Sequence, residues 1–95
     1  MILKQCWNNS LDALLSHPRA EYIEGWAVTK KDGLAIEHGW LELDGVVIDP
    51  TLPGQVEKYF PALRFNAKKA YSLAAKIRAV PFVWELMRDK NILNQ

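Results

Sequence analysis

The chain has 95 residues, a length that fits one domain with a modest core. Hydrophobic residues make up 49% and charged residues 24%, which is the balance of an ordinary globular protein. The formal net charge of +1 provides no general field that would attract nucleic acid, so we expect no nucleic-acid partner.

The only cysteine, Cys6, excludes an intrachain disulfide, which agrees with a reducing compartment. No apolar run approaches the roughly 18–20 residues that a membrane span needs, and the N-terminus has no signal-peptide pattern. We therefore expect a cytoplasmic protein without a membrane partner, and we leave its oligomeric state open.

The first predicted element is a helix that begins near Cys6 and closes at Pro18. Its apolar residues recur at helical spacing and should share a buried face: Trp7, Leu11, Leu14 and Leu15. Three polar residues could each cap its start: Asn8, Asn9 and Ser10. In each case Cys6 lies at or just before a helix N-terminus, where peptide dipoles favour an anion and should lower the thiol pKa.

The next predicted strand covers residues 21–29, and a polar turn containing Asp32-Gly33 follows it. If that pair forms a two-residue loop, it sets two cross-strand pairs: Ala27 with His38 and Gly25 with Trp40. Such small residues would leave open space beside the imidazole. The two lysines before the turn also permit a longer loop.

A second hairpin is predicted by Asp44-Gly45, which joins two apolar runs and favours a two-residue type I′ turn. The turn length sets three cross-strand pairs: Leu43 with Val46, Leu41 with Ile48, and Trp40 with Asp49. Because side chains alternate along a strand, His38, Trp40 and Asp49 should share one face. His38 and Asp49 then become diagonal neighbours whose side chains can lean together.

Residues 59–65 predict an extended segment, in which Pro61 indicates an edge strand or a bulge. Asn66 should cap the helix that follows. The apolar stripe of that helix is predicted to be Ala70, Leu73, Ala74 and Ile77. Residues 82–90 predict a last helix, with Pro81 in its first turn.

This order of elements predicts an α+β fold in one domain, residues 1–95. We expect an N-terminal helix packed on a small antiparallel β-sheet, followed by C-terminal helices within residues 66–90. The candidate catalytic residues, a cysteine, a histidine and an aspartate, fall within residues 5–51.

Cys6, His38 and Asp49 have the residue types of a nucleophile, a base and an orienting acid. In such a set the thiolate attacks a carbonyl, the imidazole moves the proton, and the carboxylate holds the imidazole. Backbone N–H groups at the helix start stabilise the oxyanion. The combination predicts a thiol hydrolase or acyltransferase. Scattered ligands without paired spacing do not predict zinc, so we expect neither a metal nor a cofactor.

At these residues the chain resembles the papain-like cysteine enzymes and, within them, the transglutaminase-like superfamily. Three motifs carry the resemblance: Cys6-Trp7 at a helix start, His38-Gly39-Trp40 on one strand, and Asp49-Pro50-Thr51 on the next. The resemblance implies a minimal papain-like or transglutaminase-like core. It also implies a catalytic Cys6, a general acid/base His38 and an orienting Asp49.

The resemblance further implies that Trp40 walls the cleft and that an amide donor near the thiol completes the oxyanion hole. The candidate donors are Gln5, Asn8 and the backbone N–H of Cys6. Gly39, between the histidine and the tryptophan, is a candidate for substrate binding. Tyr22 and Glu24 are candidates for substrate contact on the first strand.

Two functions fit these residues. The first is a cysteine-dependent hydrolase or acyltransferase (a peptidase, a deamidase or a transglutaminase-like enzyme) that acts on an amide or acyl bond of a protein or peptide. The second is a catalytically silent binding module of the same fold that inhibits or sequesters a protein partner. The first is favoured, because a purely structural relative has little reason to keep Asp49 together with His38.

Overall fold

The computed structural model describes residues 5–77, 81, 82, 86 and 88, and it confirms an α+β fold. Helix α1 (Gln5–Ala13) precedes an antiparallel sheet, and helix α2 (Ala67–Ile77) follows it. The strands are β1 (Glu21–Thr29), β2 (Ala35–Leu43), β3 (Val46–Ile48) and β4 (Val56–Asn66). Their order across the sheet is β3-β2-β1-β4, so that β1 and β2 are central and β4 is an edge.

The predicted hairpin at Asp44-Gly45 is confirmed. Asp44 has a φ of 52° and Gly45 a φ of 80°, the positive values that a type I′ turn requires. Two of the three predicted pairs are observed, Leu41 with Ile48 and Leu43 with Val46, whereas β3 ends at Ile48 and the predicted pair of Trp40 with Asp49 lies beyond the ladder. Local turn chemistry therefore sets the register of this hairpin.

The predicted register of the first hairpin is wrong. His38 lies opposite Gly25, rather than opposite Ala27. The loop is longer than two residues, because Thr29 donates its N–H to Leu34 O and also accepts at its carbonyl from Gly33. Asp32 holds this longer loop, since one of its carboxylate oxygens accepts from both the Thr29 hydroxyl and the Leu34 N–H.

Strand β4 confirms the expectation for the segment around Pro61. It pairs only with β1, and its register shifts between the pairs Glu24–Leu63 and Gly25–Pro61. Ala62 is therefore the extra residue of a bulge, and the proline lies on an edge strand where a missing N–H is tolerated.

Helix α2 begins as predicted, because the Asn66 side chain accepts from the backbone N–H of Lys69 at 2.8 Å. Ala70 and Leu73 are buried, and Ala74 and Ile77 pack partly against the same core. Of the predicted last helix, Phe82, Leu86 and Arg88 are helical, and Pro81 precedes them. The rest of that prediction lies outside the described residues.

Two expectations for helix α1 are wrong. Asn8, Asn9 and Ser10 lie inside the helix rather than at its cap, since the described helix already begins at Gln5. Leu15 is 76% exposed, because the helix ends at Ala13 and tight turns follow. Beyond the helix end, helical spacing no longer decides which face a residue takes.

The sheet separates two layers of packing. Helices cover one face, where a single cluster contains Cys6, Trp7, Tyr22 and Leu41. The other face is covered by the connection between β3 and β4, which contributes Leu52 to a smaller cluster with Ala27 and Val56. Since side chains alternate along β2, Leu41 belongs to the helix face, and His38 and Trp40 belong to the opposite face.

Candidate active site

His38 and Asp49 form the contact that the hairpin register predicted. The ring nitrogen Nε2 of His38 lies 2.7 Å from Oδ2 of Asp49. The His38 side chain is 0% exposed and the Asp49 side chain 3%, so water does not screen this pair.

Three further donors hold the Asp49 carboxylate. Tyr59 donates its hydroxyl to Oδ2 at 2.7 Å. The backbone N–H groups of Thr51 and Leu52 donate to Oδ1 at 3.0 and 2.9 Å. Both carboxylate oxygens are therefore fixed, and the acid cannot rotate away from the imidazole without breaking several hydrogen bonds.

These donors also decide the charge of the acid. Burial by itself would raise the pKa of Asp49, but the hydrogen bonds from His38, Leu52 and Tyr59 outweigh it and lower the pKa. Asp49 is thus a carboxylate at neutral pH. For Tyr59 the same contact acts in the other direction: burial and the bond to Asp49 raise the pKa of its hydroxyl, which stays protonated.

The second ring nitrogen of His38, Nδ1, is buried and has no hydrogen-bond partner among the described residues. A carboxylate at Nε2 requires the proton to be on Nε2 in the neutral ring, so that Nδ1 carries the free lone pair. Trp40 and Tyr59 stack against the ring, with centroids 5.9 and 6.5 Å away. The imidazole is therefore held in one orientation, in which the lone pair of Nδ1 accepts no hydrogen bond from a described residue.

The Cys6 sulfur lies against the backbone of β2. Gly39 donates its N–H to Sγ at 3.3 Å, and the Cys6 side chain is buried. This close approach needs a glycine, because a Cβ at position 39 would lie 2.6 Å from Cδ1 of Trp7 in the same helix. The residue between the histidine and the tryptophan thus allows α1 to pack onto the strand.

The thiol and the imidazole are neighbours that do not touch in this conformation. A Cβ at Gly39 would point to the helix face, against Trp7. Because side chains alternate along a strand, the ring of the neighbouring His38 lies on the opposite face of β2. Gly39 N is joined to His38 through one peptide bond, which puts Sγ within about 6 Å of the His38 Cα. The acid–base pair and the sulfur are thus assembled at one point of β2, but no hydrogen bond joins Sγ to Nδ1.

The expectation that the helix start lowers the pKa of Cys6 is wrong. Burial raises the pKa of the thiol to about 11, although the backbone N–H groups of Gly39 and Trp7 act to lower it. Desolvation therefore outweighs the backbone dipoles, and the thiol is neutral at pH 7.

The other predicted site residues are placed as follows. Gln5 is the first residue of the described α1, and its side chain lies outside the described atoms. Asn8 is exposed, whereas Asn9 donates its amide to Thr51 Oγ1 at 3.0 Å and ties α1 to the turn after Asp49. Trp40 is fully buried, and its indole N–H has no partner among the described residues.

Tyr22 and Glu24 are not surface residues, contrary to the expectation of substrate contact. Both are buried on the helix face, where the Tyr22 hydroxyl donates to Glu24 at 2.6 Å. The same carboxylate oxygen accepts from the Phe82 N–H at 2.6 Å. These contacts stabilise the core and do not reach His38.

Tyr59 is a site residue that the sequence patterns do not indicate. It lies on β4, two strands away from β2, and it reaches Asp49 because β4 folds back beside β1. No local pattern indicates such a long-range pairing. The only available signal was a tyrosine inside an edge strand.

Within the described ranges, no group of three His, Cys, Asp or Glu side chains is arranged to hold a metal ion. Across the same residues, no helix has the length and apolar character to cross a membrane.

A cleft of about 650 Å³ lies near one end of the sheet, between the β1–β2 turn and the connection to β4. Its lining includes Lys30, Ile36 and Leu52. It touches none of Cys6, His38 and Asp49, but Leu52 donates to Asp49 and so links the cleft to the acid.

Comparison of the chain with models of known protein families, with curated proteins and with solved structures finds no match.

Proposed function

We propose that this protein is a cysteine-dependent hydrolase or acyltransferase that acts on an amide or acyl bond of a protein or peptide. Cys6 is the nucleophile, His38 the general acid and base, and Asp49 the orienting acid. The observation that carries the proposal is the buried His38–Asp49 pair, whose remaining nitrogen, Nδ1, has no partner among the described residues.

The proposed reaction uses both ring nitrogens of His38. Nδ1 takes the thiol proton of Cys6 as the sulfur attacks the carbonyl carbon, while Asp49 stabilises the imidazolium through Nε2–H. The protonated Nδ1 then gives its proton to the leaving amine, which leaves an acyl thioester on the sulfur. Water or an amine resolves that thioester. In this proposal the oxyanion is stabilised by the Cys6 N–H and by the indole N–H of Trp40, which has no partner among the described residues.

A rotation of the Cys6 side chain is part of the proposal, because Sγ is bonded to the Gly39 N–H in the resting state. Rotation between staggered positions moves Sγ by roughly 3 Å, and the proposal requires this movement to bring Sγ towards Nδ1 of His38. Because its pKa is raised, the thiol of Cys6 is protonated in the resting protein at neutral pH. The proton therefore has to leave during the attack, and this is the step in which His38 acts.

Alkylation of Cys6 by iodoacetamide tests this role of His38. We expect a His38→Gln variant to react at least about tenfold more slowly than wild type at pH 7, because glutamine cannot accept the thiol proton as imidazole does. In the variant the rate should rise with pH up to the thiol pKa of about 11, as the thiolate fraction grows. At neutral pH the alkylation rate of wild type should exceed that of the variant.

His17→Gln is the matched control, since it removes the other histidine of the chain. It should react like wild type. Equal and slow alkylation of wild type and His38→Gln would contradict the proposed role of His38.

The alternative function, a binding module without catalysis, is favoured by one observation. Cys6 and His38 are both 0% exposed, so a substrate cannot reach them in this conformation. If the protein acts by binding a partner protein, the Cys6→Ser variant should retain the biological effect of wild type. Substitutions of exposed residues at the binding surface should abolish that effect.

A further inference from the structure

We propose that the outer edge of β2, at Ala35 and Glu37, binds an extended segment of a polypeptide substrate as an additional strand, with a basic residue opposite Glu37. The proposal rests on the proposed function and adds the class of substrate and the way in which it is held.

The backbone of β2 leaves this edge open. β3 pairs only with the last three residues of β2, opposite Leu41 and Leu43. In an antiparallel ladder alternate residues point their N–H and C=O to the same side, so Ala35, Glu37 and Gly39 face the edge that β3 has left. Among the described residues, the only hydrogen bond on this stretch of edge is the one from Gly39 N–H to Cys6.

The sequence ends β3 at this point. Continuing its register puts Pro50 opposite Gly39, where a proline has no N–H to donate to the ladder. Asp49 then accepts from the N–H groups of Thr51 and Leu52 and fixes a turn that carries the chain away from the β2 edge and over the face of the sheet that Leu52 covers. This turn ends the pairing of β3, and no strand among the described residues pairs with the edge of β2 beyond it.

The sulfur of Cys6 lies where a strand paired with the edge of β2 would pass Gly39. Its Sγ accepts the hydrogen bond that the carbonyl of a neighbouring strand would take from the Gly39 N–H. A polypeptide paired with Glu37 and Ala35 therefore runs directly towards Sγ. Strand addition of this kind uses main-chain hydrogen bonds for affinity and side-chain pairs for specificity.

Glu37 supplies the specificity. It is partly exposed, and no ion pair is formed by it with any described residue. A residue directly opposite it in an added strand would have its Cβ about 4.5–5.5 Å away, a distance at which opposite charges attract. The carboxylate therefore favours lysine or arginine in the substrate at that position.

Peptide electrophiles provide the test. The probes are pentapeptide chloromethyl ketones of alanine and valine that carry one arginine or one glutamate at each position in turn. We expect one position at which the arginine probe labels Cys6 about threefold to fivefold faster than the glutamate probe. Glu37→Lys should invert this preference, and Glu37→Gln should remove it.

Two further readouts separate strand addition from a general charge effect. N-methylation of the probe backbone should slow labelling at alternate amides only, because alternate amides face the edge of β2. Glu57→Lys, on β4 at the other edge of the sheet, should leave the preference as in wild type.

The possible failures are distinct. If no probe labels Cys6, the proposed function is wrong and this inference falls with it. If all probes label Cys6 at equal rates, in wild type and in Glu37→Lys, the thiol is reactive but the β2 edge does not bind the substrate.

Discussion

An Asp49→Asn variant is expected to fold and to lose about 10²–10⁴-fold in the rate at which Cys6 is acylated by an activated peptide thioester. The asparagine oxygen can still accept from Thr51 and Leu52, as Oδ1 of the aspartate does. Its amide group, however, would present N–H to Nε2 of His38. The ring then has to accept at Nε2 and carry its proton on Nδ1, where it cannot take a proton from the thiol.

The tautomer itself can be measured. In wild type, ¹⁵N NMR of the His38 ring should show the proton on Nε2, and in Asp49→Asn it should show the proton on Nδ1. Asp32→Asn is a suitable control, because Asp32 also accepts from a hydroxyl and a backbone N–H but lies in an exposed turn. Acylation of Asp49→Asn at the wild-type rate would show that the acid does not orient the base.

A Gly25→Ala variant is expected to lose about 3 kcal/mol in free energy of unfolding, at the upper end of overpacking effects. A Cβ at this position would lie 2.2 Å from the carbonyl oxygen of Phe60, which is backbone and cannot turn aside. Gly25 is paired with both His38 and Pro61, so the clash would push β4 away at its bulge. Urea denaturation measures the loss.

Gly54→Ala separates the clash from backbone strain. Gly54 has a φ of 72° and nothing near its Cβ position, so alanine there costs only the strain of a left-handed residue, about 1 kcal/mol. If Gly25→Ala is no less stable than Gly54→Ala, β4 does not pack on β1 as described.

Local chemistry made part of this molecule predictable. Asp44-Gly45 set the register of one hairpin, and that register placed Asp49 beside His38. Asn66 likewise capped α2 through its own side chain. In each case the deciding contact joins residues that are close in the sequence.

The errors have two sources: side-chain hydrogen bonds within a turn, and packing between different elements of the fold. The register of the first hairpin depends on Asp32 and Thr29, which stabilise a longer loop than Asp32-Gly33 alone suggests. The raised pKa of Cys6 depends on how closely α1 packs onto Gly39, and helix dipoles do not predict that burial. The contact of Tyr59 with Asp49 depends on the position of β4, which no short motif indicates.

The most direct test of the joint action of Cys6, His38 and Asp49 is intact-mass analysis of the wild-type protein after incubation with a peptide thioester, followed by peptide mapping. We predict one acyl group on Cys6, formed quickly in wild type and in His17→Gln and much more slowly in His38→Gln and Asp49→Asn. A wild-type protein that carries no acyl group on Cys6, or that gains one no faster than His38→Gln, would contradict the account.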